Sequence, residues 1–336
     1  MTQASTNAPM PSTKWPSHLR LALLMIISLA ILVMSVAIGH SRLPLDRVIP
    51  AMLGLNEDFI VQTLRLPRSL LACSVGALLG LSGFLLQRLL RNPLASPDIV
   101  GITSGASVGA VLFIVVAAGA APFWQPIWAF IGALTAAAAL LGLTWKQRLS
   151  VTRVVLVGIC LNSGFAAITT LLLVMSESTT SAMAYTWLTG TLYGANSAVN
   201  HWLIPATVVA LLGCLLLKRE LAVLALSDEQ QVGLGLSTLP IRLLILCLSA
   251  AMAALAVSFA GAIGFVGLLA PHLTRQLLPK HLPGQLIGCA LIGANLLLLA
   301  DLAGRTLFLP RDLPAGIFVS AIGGPFFIFL LARQRR

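Results

Sequence analysis

Charge is what this chain has least of. Only 9% of its 336 residues are Asp, Glu, Lys or Arg, against about 25% in a soluble globular domain. That shortage excludes an ordinary water-soluble fold before any motif is considered. Acids are the scarcer sign: ten, against 21 Lys and Arg, for a net charge of +11. The cations sit in short connections between apolar runs, where they set membrane topology, and no nucleic-acid partner is expected. The five cysteines (Cys73, Cys160, Cys214, Cys247, Cys289) all lie inside apolar runs and form no CxxC pair. Disulfide and metal roles give way to small buried hydrophobes. No GxxxxGK[ST] phosphate loop occurs, so ATP hydrolysis is expected on another chain. No row of ionisable residues threads the apolar runs, which argues against a proton-driven or ion-coupled carrier working alone. No pair of Asp, nor a Ser with a Lys, is placed to make an intramembrane enzyme.

What is present is apolar length. Hydrophobic residues make up 58% of the chain, and mean hydropathy is +0.97. Ten apolar runs cover about 19–39, 69–87, 99–121, 124–145, 153–175, 201–217, 239–263, 264–278, 285–303 and 315–332. Spans of about 20 residues cross a bilayer as helix. Residues 1–18 are polar and carry Pro9, Pro11 and Pro16, and are expected to be a disordered cytoplasmic tail. The run Leu19–Gly39 is too long for the apolar core of a signal peptide, so it is expected to stay as the first span. One membrane domain then covers 19–336, with halves of about 19–200 and 201–336.

With the N-terminus inside and ten spans, fifteen of the 21 Lys and Arg fall on the cytoplasmic side. The outside keeps six (Arg42, Arg47, Arg65, Arg68, Arg305, Arg311) together with six acids. That is the expected positive-inside asymmetry. Nine spans would put the C-terminal RQRR outside, so the seventh and eighth runs are split at Gly261-Ala262-Ile263-Gly264. Both termini are then cytoplasmic.

The stretch Arg65–Gly105 organises the rest. It opens with Arg65 and Arg68 around Pro67 and continues through small residues (Ala72, Ser74, Gly76, Ala77, Gly80, Ser82, Gly83). Small residues at intervals of three and four let helices approach closely. Arg88 and Arg91 follow, then Asn92-Pro93-Leu94-Ala95-Ser96-Pro97-Asp98, where the prolines force the chain out of helix. A shift of 174 residues lays Arg68 on Arg242, Cys73 on Cys247, Ala77 on Ala251, Leu94 on Leu268 and Pro97 on Pro271. With five spans per half, the two copies face opposite ways, a common transporter architecture.

The polar residues admit plain readings. Arg65 and Arg68 suit snorkelling anchors, and Asp301 with Arg305 suits an i,i+4 pair. Asn92 suits a helix cap. Lys218–Ser237 is the longest charged cytoplasmic connection. There Leu221, Leu224, Leu226 and Val232 fit one apolar face of two short helices broken at Gly233 and Gly235, as in an interfacial loop. His272 has no second ligand in sight and reads as packed or capping.

Taken as phrases, RLPR, the small-residue run, RNPLASPDIVGITSGA and GAIGFVGLLAPHLTR resemble a known family. It comprises the membrane-spanning permease subunits of bacterial ABC importers for ferric siderophores, haem and cobalamin, and the resemblance covers nearly all of the chain after Pro16. It implies an all-α polytopic protein of about ten transmembrane helices in two inverted five-helix halves, the type II ABC importer permease architecture. It implies work as half of a pore, with a second permease subunit, two cytoplasmic ATPases that bind ATP and Mg, and an outside binding protein, in the bacterial inner membrane. No cofactor or metal belongs to this chain in that picture. Arg65, Arg68 and Arg305 would receive acidic residues of the binding protein. The 218–237 element would couple to the ATPase, through Leu221, Leu224, Leu226, Ser227, Asp228, Glu229, Gly233 and Gly235. Asn92 and Leu94, with Ser150, Val151 and Thr152, would narrow the cytoplasmic end of the path. YTWLTGTLYGAN (Tyr185–Asn196) resembles siderophore permeases more than cobalamin ones.

Overall fold

The computed structural model describes residues 16–39, 41–117, 121–144, 151–226, 228–233 and 238–334, and the described residues contain no strand. Of the tail expected over 1–18, residues 1–15 lie outside this set, while Ser17 and His18 already belong to the first helix. In chain order the helices are α1 (Ser17–Ala37), α2 (Leu45–Met52), α3 (Leu66–Leu89), α4 (Ile102–Val116), α5 (Gln125–Thr144), α6 (Val151–Met175), α7 (Ser178–Leu188), α8 (Ser197–Leu216), α9 (Lys218–Val223), α10 (Asp228–Gly233), α11 (Thr238–Ala260), α12 (Val266–Leu277), α13 (Leu282–Thr306) and α14 (Ala315–Gln334). A wide π-helical turn, Ile60–Arg65, runs straight into α3.

Each of the ten apolar runs falls on one of these helices. Seven stretches are long and apolar enough to cross a membrane by length and composition: 18–37, 60–89, 125–144, 152–175, 197–216, 239–260 and 282–306. The apolar parts of α4 and α14 are shorter. Helix α12 has 12 residues, about 18 Å at 1.5 Å per residue, which is too short to span alone. The chain leaves helix over 261–264, with Gly261 at φ 74, so the expected split between α11 and α12 is present. Helices α2 and α7 were not expected.

The core is built around α3. Its own residues from Leu71 to Gln87 are buried but for Cys73, wrapped by α8, α11, α12 and α13. A helix apolar all round belongs in such a place. The small residues set the distance of approach. A side chain on Gly83 would run into the Gly267 backbone of α12, and one on Gly76 into the Gly293 backbone of α13. Against α11 the contact is polar: Ser82 donates to Ser249 O at 2.8 Å, and Ser249 donates to Ser82 O at 3.0 Å. Such short side chains join membrane helices where longer ones would hold them apart.

The repeat is visible in the packing. As α3 packs on α12 and α13, so α11 packs on α4 and α5. The backbone repeats too. Among the described residues, two that are not glycine have positive φ, Arg91 (φ 46) and Phe265 (φ 64). They stand 265 − 91 = 174 residues apart, the offset that aligns the sequence with itself.

Candidate functional site

Polar side chains concentrate at the two ends of the bundle. At the end holding the start of α3, the three arginines singled out in the sequence come together. Arg65 is 7% exposed. Its guanidinium donates to Val36 O at 3.0 Å, Ala37 O at 2.9 Å and Ser41 O at 2.7 Å. It thereby serves carbonyls at the C-terminal end of α1, where a helix has no partners of its own and favours a cation. This is a buried cap, not a snorkelling anchor. Arg68 grips Asp312 with both terminal nitrogens and reaches Asp301 Oδ1 through Nε at 2.9 Å. Arg305 pairs with Asp301 at 3.0 Å in the i,i+4 arrangement and donates to Ser35 O at 3.0 Å. Asp301 is fully buried between the two guanidiniums.

These groups line a concavity of about 340 Å³ with Ser41, Leu64 and Arg311. Arg311 is exposed. Sequence reasoning placed it outside but gave it no role; its position in the turn after α13 brings it to the same hollow. Each of the three expected docking arginines already holds oxygens of its own chain, so an incoming carboxylate meets a pre-built cationic network. Beside it, Asp58 accepts from Ile60 N at 3.0 Å and Val61 N at 3.2 Å and pairs with Arg47. The Val61 N–H above all holds its carboxyl below its ordinary value; desolvation opposes this, and Arg47 and the Ile60 N–H add to it.

At the other end, the 218–237 connection forms the two expected short helices, α9 and α10. On α9 and just after it, the leucines face the bundle. Leu221 is fully buried and Leu224 is 3% exposed, and α9 packs on α3 and α13. Leu226 is half-buried. Arg91 donates from Nε to Leu224 O at 3.1 Å, and Gln231 donates to Leu226 O at 2.9 Å. So Leu221 and Leu224 seat the element on its own bundle, because an apolar side chain next to an unfilled apolar groove of the same chain is buried there first. Lys218, Arg219, Ala222, Ala225 and Gly233 are exposed. Ser227 and Gly235 lie outside the described residues, and Asp228 and Glu229 are placed only by backbone, in the first turn of α10.

Asn92 accepts from Leu94 N at 2.9 Å, the local cap that its position suits. Leu94 is half-buried. Of the partner segment, Ser150 lies outside the described residues, Val151 begins α6, and Thr152 is exposed on α6. The two segments belong to neighbouring pieces: a side chain on Gly158 of α6 would meet Ile99 O at 2.8 Å and Val100 Cα at 3.0 Å. His272 lays its ring edge on Phe326, centroids 5.8 Å apart. Among the described residues, no three His, Cys, Asp or Glu are grouped to hold a metal.

Comparison with known proteins adds to this geometry. The FecCD transport family model matches residues 24–333. The achromobactin transport system permease protein of Dickeya dadantii (strain 3937) is 44% identical over 320 residues, 94% of this chain and 92% of that one. The ferric enterobactin transport system permease protein of Escherichia coli (strain K12) is 34% identical over 301 residues, 89% and 91% of the two chains. A metal-chelate type ABC transporter solved in an inward-facing conformation superposes with a TM-score of 0.83 at 29% identity, covering 94% of this chain and 99% of that one. The helical bundle described above is thus shared, over nearly its whole length, with a solved ABC transporter chain. The chain is a multi-pass membrane permease and belongs to the FecCD transport family.

Proposed function

We propose that this permease carries a ferric siderophore inward across the bacterial cytoplasmic membrane, with both termini cytoplasmic. The observation that carries the cargo is the 44% identity, over nearly the whole chain, to an achromobactin permease. Two permease subunits, identical or different, form the path. Two ATPase subunits bind ATP and Mg beneath the exposed face of α9. Their closure moves the seated element and with it α3 and α13, switching the path between faces. A binding protein docks outside on the concavity of Arg65, Arg68, Arg305 and Arg311, its carboxylates competing with Asp312 for Arg68.

Charge reversal tests the docking. Arg68→Glu with Arg311→Glu should weaken binding-protein capture by at least about tenfold at low salt, since charge-assisted pairs at an interface are lost. Affinity equal to wild type, in a variant with normal membrane levels, would remove the site. A second reading, haem transport, has support in the hemin transport system permease protein of Yersinia pestis, 37% identical over 280 residues, 81% of this chain. Uptake assays with both chelates separate the two.

A further inference from the structure

One carboxylate is left unused by both ends of the molecule. Asp98 lies in the break between α3 and α4, and among the described residues it pairs with no cation. Its Oδ1 accepts from Thr103 Oγ1 of α4 at 2.7 Å. Its Oδ2 faces the other break: a Cβ built on Gly264 would stand 3.7 Å from it.

 

In sequence, Asp98 and Gly264 are 264 − 98 = 166 residues apart. Gly264 immediately precedes Phe265, so the carboxylate lies beside the backbone at the head of α12. Phe265 precedes α12 with φ 64, a left-handed conformation disfavoured for a bulky side chain. Such strain persists where the surroundings over-determine it. The ring is held from the far side: a side chain on Gly323 of α14 would meet Phe265 Cγ at 2.5 Å. The line therefore runs from α4 through Thr103 and Asp98 to the head of α12, and through the Phe265 ring to α14.

We propose that Asp98 is a positioning residue for transport, a latch from the first half that holds the strained start of α12 and so keeps α12 and α14 in step with α4. It acts through Phe265 and does not touch cargo. A helix that starts on a break moves as a unit only if its first turn is fixed, and here the fixing group comes from the opposite repeat. Loss of the latch separates ATP hydrolysis from movement of the path, while the rest of the bundle, packed through α3, stays together.

The test uses the complete importer (permease, ATPases and binding protein) in proteoliposomes, with chelate uptake and ATP hydrolysis measured together. Asp98→Ala should lower uptake per ATP about tenfold, the scale set by losing a charge-assisted hydrogen bond from a two-state balance. Hydrolysis should stay within about twofold, since nothing in the ATPase contact changes. Asp98→Asn, whose amide oxygen still accepts from an N–H, should recover most of the ratio. Phe265→Gly keeps the N–H but removes the ring that reaches α14, so it should lower the ratio by itself, and adding Asp98→Ala should lower it by less than the sum of the two losses, because both break one line from α4 to α14. Wild-type uptake in the same vesicles decides the cargo separately, and the ratio is read with whichever chelate wild type carries. Three results overturn the latch. One is an unchanged ratio in Asp98→Ala. Another is additive losses in the double variant. The third is parallel loss of uptake, hydrolysis and membrane level even in Asp98→Asn, which would make the residue merely structural.

Discussion

Asp301 is the residue on which the arginine-rich end of the bundle depends most. It is fully buried, with Arg68 at 2.8 Å and Arg305 at 3.0 Å. Breaking a buried pair by removing one partner costs about 3–5 kcal/mol, because the remaining charges are left uncompensated. Asp301→Ala should therefore lower the thermal midpoint of the purified permease sharply, and an unchanged midpoint would show that water already compensates the arginines. The neighbouring Asp58 gives a pH signature. Its folded value lies below the ordinary 3.8, so its contribution is complete above that value and is lost as pH falls through the lower folded value. Thermal unfolding followed down to pH about 3 should show this acid loss, and Asp58→Asn should flatten that part of the profile. The i,i+4 pair of Asp301 and Arg305 was legible in the sequence. The capture of Asp312 by Arg68, and of α1 carbonyls by Arg65, was not, because both depend on which distant segments tertiary packing brings together.

Among the elements, the spans were legible and their short companions were not. A run of apolar residues long enough to cross a bilayer announces itself. Helix α2 carries Pro50 inside eight residues, and α7 mixes Ser and Thr with aromatics, so neither gives a run. The two short helices of the 218–237 element were legible, while the burial of Leu221 and Leu224 against their own bundle was not. An apolar face reports that it is buried, and leaves open whether the groove belongs to a partner or to the same chain. This difference is testable. Leu224→Asp should lower membrane level and thermal stability, by the several kcal/mol that a buried, unpaired carboxylate costs. Arg219→Glu, on the exposed side, should leave stability within about 0.5 kcal/mol and weaken ATPase association. A stable Leu224→Asp protein that fails to bind ATPase would return Leu224 to the docking face.

At the scale of the whole molecule, the inverted repeat ties sequence to mechanism. Thin identity at an offset of 174 residues becomes two strained breaks at matching positions, Arg91 and Phe265. Arg91 follows the end of α3, and Phe265 immediately precedes α12. Exposed aromatics gather at one end of the bundle, Phe123 and Trp124 before α5 with Tyr193 and Trp202 around the start of α8, as aromatics do at a membrane–water interface. The cargo stays the least legible feature, since a path without rows of ionisable residues carries no signature of what crosses it. The measurement that tests the account most directly is uptake of radiolabelled ferric siderophore in iron-starved cells of the native host. It compares wild type, a deletion of this gene, and the deletion complemented in trans. The account predicts that deletion abolishes uptake and that complementation restores it. Siderophore uptake that persists undiminished in the deletion strain would contradict the assignment of a ferric siderophore to this permease.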